Sequence, residues 1–167
     1  MTDGQLGQAN QIYQHLLDSQ QSVILATMSE DGSPLSSYAP CAVDSNKNFY
    51  IFVSALSQHT GNLIRHQQAS LMLIADEADS SQIFARERLI FQCKVSLIER
   101  DSDVWAISSK LYGERFADMF PLLSSLSDFS MVQLTPTSGQ LIVGFGQAYN
   151  IGADLTTLNH RNPRANT

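Results

Sequence analysis

Four histidines, His15, His59, His66 and His160, are the side chains of this 167-residue chain best suited to holding a metal or moving a proton. His59 and His66 stand seven apart in a stretch with helical spacing, which puts them on one face about two turns, ~10 Å, from each other. That is too far for both to grip one small ion. His15 borders an apolar helical stripe, where a structural or solvent-facing role is expected. His160 is different, because it sits in "DLTTLNHRNPRANT", Asp154 to Thr167, a polar stretch with nothing apolar after Leu158. No core needs an imidazole there. Cys41 and Cys93 lie in apolar, strand-like stretches with neither a CxxC spacing nor a matching histidine, which predicts buried free thiols, not a disulfide or a zinc site. The chain also lacks HExxH, paired acidic residues, Gly-x-Ser-x-Gly and any Cys/His signature, so the motifs of metal-assisted hydrolysis and acyl transfer are missing.

The elements that must position these residues are legible from periodicity. Apolar residues recur at three and four from Leu6 to Leu17, a helix with one buried face. Ser22–Met28, Leu35–Val43 and Phe49–Ser54 then read as three antiparallel strands, separated by "EDGSP" and "DSNKN" turns. A short helix capped by Ser57 leads to a strand at Ala69–Ala75. A polar loop precedes a long strand, Arg88–Glu99. One amphipathic helix is expected over Asp101–Phe120, with acidic residues in its first turn where the helix dipole favours them. Asp128–Pro136 and Gly139–Tyr149 are expected to close the fold as a strand pair. No βαβ alternation calls for a parallel sheet, so the fold class is mainly β with flanking helices, an antiparallel barrel. We expect one barrel domain over 1–149 and a tail, 150–167, that completes a ligand site.

The totals narrow the partners. Hydrophobic residues make up 43% and charged residues 16%, the composition of a soluble globular domain, and no apolar run approaches bilayer length. No secretory signal pattern opens the chain, so a cytoplasmic location is expected, without membrane insertion. A net charge of −6, with Lys47 the only Lys or Arg before Arg65, argues against nucleic acid.

"SALSQHTGNL" (Ser54 to Leu63), "SDFSMVQLTP" (Ser127 to Pro136), "GFGQAY" (Gly144 to Tyr149) and the late "NHR", in that order, resemble the HugZ/HutZ haem-utilisation family. That family belongs to the pyridoxamine phosphate oxidase-like, FMN-binding split-barrel group. The resemblance implies a homodimer with haem at the subunit interface and an enzyme that uses O₂ and an external electron donor. Its product would be a biliverdin-type tetrapyrrole, with iron released for the cell's iron acquisition. His160 would be the axial ligand of the haem iron. Asp128 would hydrogen-bond that imidazole's far nitrogen, raising its basicity. Arg88, or its neighbour Arg86, would face the open side of the haem and stabilise negative charge developing there. His59 would support the cleft. From Asn150 to His160 an extended tail would reach roughly 33–36 Å at ~3.3–3.6 Å per residue.

Each role has a plainer rival. His160 could belong to a solvated tail, Asp128 could simply start a strand, Arg86 and Arg88 could form surface ion pairs with Glu87 or its surroundings, and His59 could be a polar residue of a first helical turn. The Gly144 and Gly146 pair reads as a strand bend, not a phosphate loop. FMN is the alternative ligand. Where the flavin oxidases carry Ser-Arg-Lys, however, this chain has Ser57, Gln58 and His59, which would deprive a flavin phosphate of charge-assisted bonds. A haem carrier without turnover is the other alternative.

Overall fold

Period-two burial marks the strands. Along Ser22–Met28, β1, the residues Val23, Leu25 and Thr27 point inward while Ile24, Ala26 and Met28 face out. The computed structural model describes residues 3–161, so the end of the expected tail, from Asn162 onward, lies outside the described residues. The order is α1 (Asp3–Ser19), β1, β2 (Pro34–Val43), β3 (Phe49–Ser54), α2 (Gln58–His66), β4 (Gln68–Ile74), a 3-10 turn (Ile83–Ala85), β5 (Arg88–Ile98), α3 (Asp103–Arg115), α4 (Phe120–Ser124), β6 (Phe129–Gly144), β7 (Gln147–Ile151) and β8 (Leu158–His160). Strands run in the order β3-β2-β1-β4-β5-β6, and β3 also pairs with β6, closing a six-stranded antiparallel barrel. β7 and β8 continue the sheet outward from β6.

The expected barrel is therefore present, with three differences in its parts. The closing strand pair is instead one sixteen-residue strand, β6, followed by a new strand, β7. Pro136 survives inside β6 because it sits at a bulge: Gln92 faces Ser138 and Cys93 faces Pro136, leaving Thr137 as the extra residue. The turn between β6 and β7 is Phe145–Gly146, and Gly146 adopts φ +67°, the left-handed region that glycine enters without strain. The helix expected over Asp101–Phe120 is shorter, α3, ending at Arg115, and a separate short helix, α4, begins at Phe120. Pro121 lies in the first turn of α4, where its missing N–H costs nothing, whereas one uninterrupted helix would need that donor. The described part of the tail, residues 150–161, does not run out extended. It folds back through a turn and pairs with β7 as β8.

The core fills the barrel, with Leu25, Phe49, Ile51, Leu71, Phe91 and Leu134 fully buried. Helix α1 packs against β4, β5, β6 and β8, and its Tyr13 and Leu16 join the same cluster. A second, aromatic cluster lies between the sheet and the two later helices, where Phe52 meets Phe120 and Phe129 at 5.3 Å each. Cys41 and Cys93 are buried free thiols, and burial pushes both up to about 12. Among the described residues no helix is long and apolar enough to cross a membrane.

Gly139 lies opposite both Phe91 and Ile151 in the sheet. A Cβ there would come within 2.6 Å of Phe91 Cδ1 and 2.8 Å of Ile151 Cδ1. Gly139→Ala is expected to lower stability by about 1–3 kcal/mol through overpacking; denaturant unfolding at constant m-value measures it.

Candidate functional site

The residues singled out by sequence fall into two groups at opposite ends of β6. Asp128 immediately precedes that strand, at the corner where β3 turns into α2. Its backbone carbonyl accepts from the Ala55 N–H at 2.8 Å, and its Oδ2 accepts from Ser54 Oγ at 2.7 Å. The same corner carries His59, in the first turn of α2. Ser57 takes the N-cap position of that helix but makes no side-chain cap bond. The turn is held instead by Thr60 Oγ1, which donates to the Ser54 carbonyl at 2.7 Å. His59 is half-buried, and loss of water holds its imidazole below the usual histidine range, so the neutral ring is favoured.

At the far end stand Arg86, Arg88 and His160. Arg88 opens β5 and lies opposite Ile142, which in turn faces Ala148 on β7. Residues opposed in register share a face of the sheet. Arg88, Ile142 and Ala148 are thus on the outer face, while Leu89, Leu141, Tyr149 and His160 are on the inner one. The first three of that inner row are core; His160, at the sheet's edge, is exposed. It is not a waving tail residue, because three contacts fix its strand and ring. Tyr149 meets the imidazole edge-on at 5.4 Å, the Gly146 carbonyl lies 3.1 Å from Nε2, and the Arg161 N–H donates to the Ala148 carbonyl at 2.7 Å. With Nε2–H donating to Gly146, the unshared pair is on Nδ1.

The turn leading into β8 is built to hold this position. Asp154 Oδ1 accepts from the N–H groups of Thr156 and Thr157 at 3.0 and 2.9 Å, and Oδ2 from Thr157 Oγ1 at 2.6 Å. These donors keep its carboxyl well below the usual carboxylate range. Tyr13, fully buried in α1, donates to the Leu155 carbonyl at 2.6 Å and so ties the first helix to the last turn. Nothing in the polar sequence of 154–160 announced this anchor, because its partner is 142 residues away.

Arg86 is already engaged: Nη1 contacts Glu77 Oε1 at 2.8 Å, and Nε donates to the Ala75 carbonyl at 2.5 Å. The ion-pair partner is Glu77, so the plainer reading of Arg86 as a surface ion pair is met by a neighbour other than Glu87. Arg88 Nη1 donates to the Arg86 carbonyl at 2.9 Å, which leaves most of its guanidinium for other acceptors. Sequence reasoning missed the aromatic company of this end. Phe84 is 80% and Phe145 69% exposed, and Phe145 lines a hollow of about 280 Å³ with Arg86 and Val143. Two exposed phenyl rings, an exposed imidazole and a largely unpaired guanidinium are groups of the kind that can contact a flat, apolar, metal-bearing dianion.

Within one chain these parts do not form a single site. Arg88 and His160 lie on opposite faces, three strands or ~14 Å apart, and thirteen residues of β6, about 40 Å of strand, separate Asp128 from the row of His160. A hollow of about 790 Å³ beside Met28, His66 and Lys94 contains none of the candidates. Part of its polar lining is internally paired, as in Gln92 Nε2 to Ser70 Oγ at 3.3 Å, and the buried His66 Nε2 has no partner. Among the described residues no three His, Cys, Asp or Glu side chains gather to hold a bare metal ion.

Residues 10–142 match the pyridoxamine 5'-phosphate oxidase family. The chain is 40% identical over 130 residues to the protein named heme oxygenase HutZ of Vibrio cholerae serotype O1, a match that covers 78% of this chain and 73% of that protein. The crystal structure of V. cholerae HutZ, described as a heme storage protein, superposes with a TM-score of 0.70 at 33% identity, over 85% of this chain and 94% of that one. The crystal structure of Campylobacter jejuni ChuZ gives 0.80 at 26% identity, over 98% and 66%.

The half-buried His59 supplies a pH test. Below about pH 6.5 the unfolded chain protonates this imidazole more readily than the folded one, so folding loses stability as pH falls. Thermal melts at about pH 7 and pH 5 should show a smaller drop for His59→Gln than for the unaltered chain.

Proposed function

We propose, because this chain belongs to the HutZ family within the pyridoxamine 5'-phosphate oxidase-like superfamily, that it binds haem between two copies of itself and opens the ring oxidatively. The products are a biliverdin-type tetrapyrrole, a one-carbon fragment carrying the excised meso carbon, and iron. The observation that carries this reading is His160, an exposed imidazole held on a paired strand at the one end of the sheet that also displays Arg88, Phe84 and Phe145.

Haem supplies the iron at which O₂ and electrons from an external donor react, and its own ring is the substrate. The chain's residues bind and orient. His160 offers a ring nitrogen to the iron. Asp128 of the second copy accepts the N–H of the other ring nitrogen, which fixes the tautomer and makes the imidazole a better donor. For that exchange His160 leaves the Gly146 carbonyl, a neutral acceptor that a carboxylate outcompetes. Arg88 directs its free N–H groups to the open side of the ring, where negative charge develops. Arg86, held by Glu77, braces Arg88 through its carbonyl. His59, neutral and close to Asp128, lines the cleft without adding charge.

Two observations support a homodimer. Asp128 and His160, far apart along β6 within one chain, would be brought together by a twofold that reverses the strand direction. The outer face of β1, β2 and β4 also exposes Ile24, Met28 and Tyr38, the last at 63%, an apolar surface of the kind that marks an interface. A storage role without turnover is the second reading, favoured by the description of the V. cholerae structure. FMN is less well served, since the first turn of α2 presents Gln58 and a neutral His59 to a phosphate.

Haem titration of the purified chain should give a Soret band that is lost in His160→Ala and in Ile24→Lys/Tyr38→Glu, the latter eluting as a monomer. With ascorbate and air the band should decay to a tetrapyrrole product, about 10–100-fold more slowly in Asp128→Asn. A persistent spectrum under those conditions indicates storage; an unchanged band in His160→Ala removes the ligand assignment.

A further inference from the structure

We infer that Ser54 is a positioning residue for Asp128, fixing which carboxylate oxygen faces the ligand by tying the other oxygen to the corner that leads into the helix carrying His59. This inference rests on the haem reading above. Two bonds to the Ser54 hydroxyl carry it. Ser54 Oγ contacts Asp128 Oδ2 at 2.7 Å, and the same Oγ accepts the Leu56 N–H at 3.1 Å. A hydroxyl has one proton, and an ionised carboxylate has none to give. With the Leu56 donor on one of its lone pairs, the Ser54 proton must point to Asp128. The hydroxyl is therefore a one-way donor whose rotor is set by backbone.

The consequence for Asp128 is geometric. Its backbone is fixed by the Ala55 N–H to carbonyl bond at 2.8 Å and one oxygen of its side chain by Ser54, so the carboxylate plane is determined and Oδ1 is left as the acceptor for an incoming N–H. Ser54 is also the last residue of β3, paired with Phe129 at the start of β6. Its carbonyl receives both Ser57 N–H at 3.1 Å and Thr60 Oγ1 at 2.7 Å. Movement of the first turn of α2 would therefore be transmitted through one residue to the carboxylate. Nothing about a serine in "FVSALS" distinguishes it from other strand-end serines until the closing strand is in place.

The test compares Ser54→Ala, the isosteric pair Ser54→Val and Ser54→Thr, Asp128→Asn, and Ser54→Val combined with Asp128→Asn. The readouts are the iron–histidine stretching band of the reduced haem complex and the rate of haem loss with ascorbate. The Val and Thr variants have the same shape and differ only in the hydroxyl, so a packing defect affects both alike. Ser54→Ala and Ser54→Val are expected to move the band toward its position in Asp128→Asn and to slow haem loss about tenfold, the low end for partners that orient a ligand. Ser54→Thr should resemble the unaltered chain, and Ser54→Val should add nothing once Asp128 is Asn. The inference is overturned if Asp128→Asn shifts the band while Ser54→Ala and Ser54→Val do not, or if Ser54→Val has its full effect in the Asn background. If Asp128→Asn itself leaves the band in place, the carboxylate role fails and the Ser54 role with it, while iron binding by His160 stands or falls on its own variant.

Discussion

The pairing of β3 with β6 is the constraint from which the rest follows. It closes the barrel, removing two strand edges that would otherwise pair with other chains. It also brings Ser54 beside Phe129, which sets Asp128 against the β3–α2 corner. Because β6 is long enough to leave the barrel and continue to Gly144, the same strand delivers β7 and β8 to the opposite end. One continuous element thus carries both halves of the candidate site while keeping them apart. Had β6 ended at Pro136, as its composition suggested, β7 would have lacked the strand on which it lies.

Helices add fixity where the sheet alone would be loose. The edge strand β8 has only three residues, and a strand that short is held by what surrounds it. Here that is the Asp154 turn and the Tyr13 hydroxyl reaching from α1. α2 is held similarly, by Asn62 Nδ2 donating to Thr27 Oγ1 at 3.1 Å in the barrel interior. The two ends of the chain's candidate chemistry are therefore attached to buried, hydrogen-bonded positions, as a site requires if its groups are to keep their geometry.

Much of the architecture was legible because period-two and period-3.6 burial are strong signals over seven or more residues. β1 and β3 have the bounds that apolar runs between turn signals gave, and the buried thiols follow from the apolar runs around Cys41 and Cys93. What failed did so for local reasons. Proline was taken to end a strand at 136, but a bulge absorbs it. A polar composition was taken to mean an open tail over 150–160, but polar residues there satisfy one another in a turn and free the backbone to pair. The candidate residues are exposed or half-buried polar groups, and their grouping was hidden. Asp128 and His59 share a corner only through the pairing of β3 with β6, and Phe84 and Phe145, sited outside the regular strands, carry no periodic signal at all.

Burial of the two thiols has a further consequence when oxidants reach the molecule. Oxidants attack exposed, electron-rich sulfur first. Cys41 and Cys93 are buried, and burial disfavours their thiolates, so damage passes to thioethers instead. Among the described residues Met28 and Met119 are each about half exposed. Met28 borders the exposed apolar face of the sheet, where a sulfoxide would bring polarity. Oxidative ageing would then alter that outer face first, while the barrel itself stayed intact.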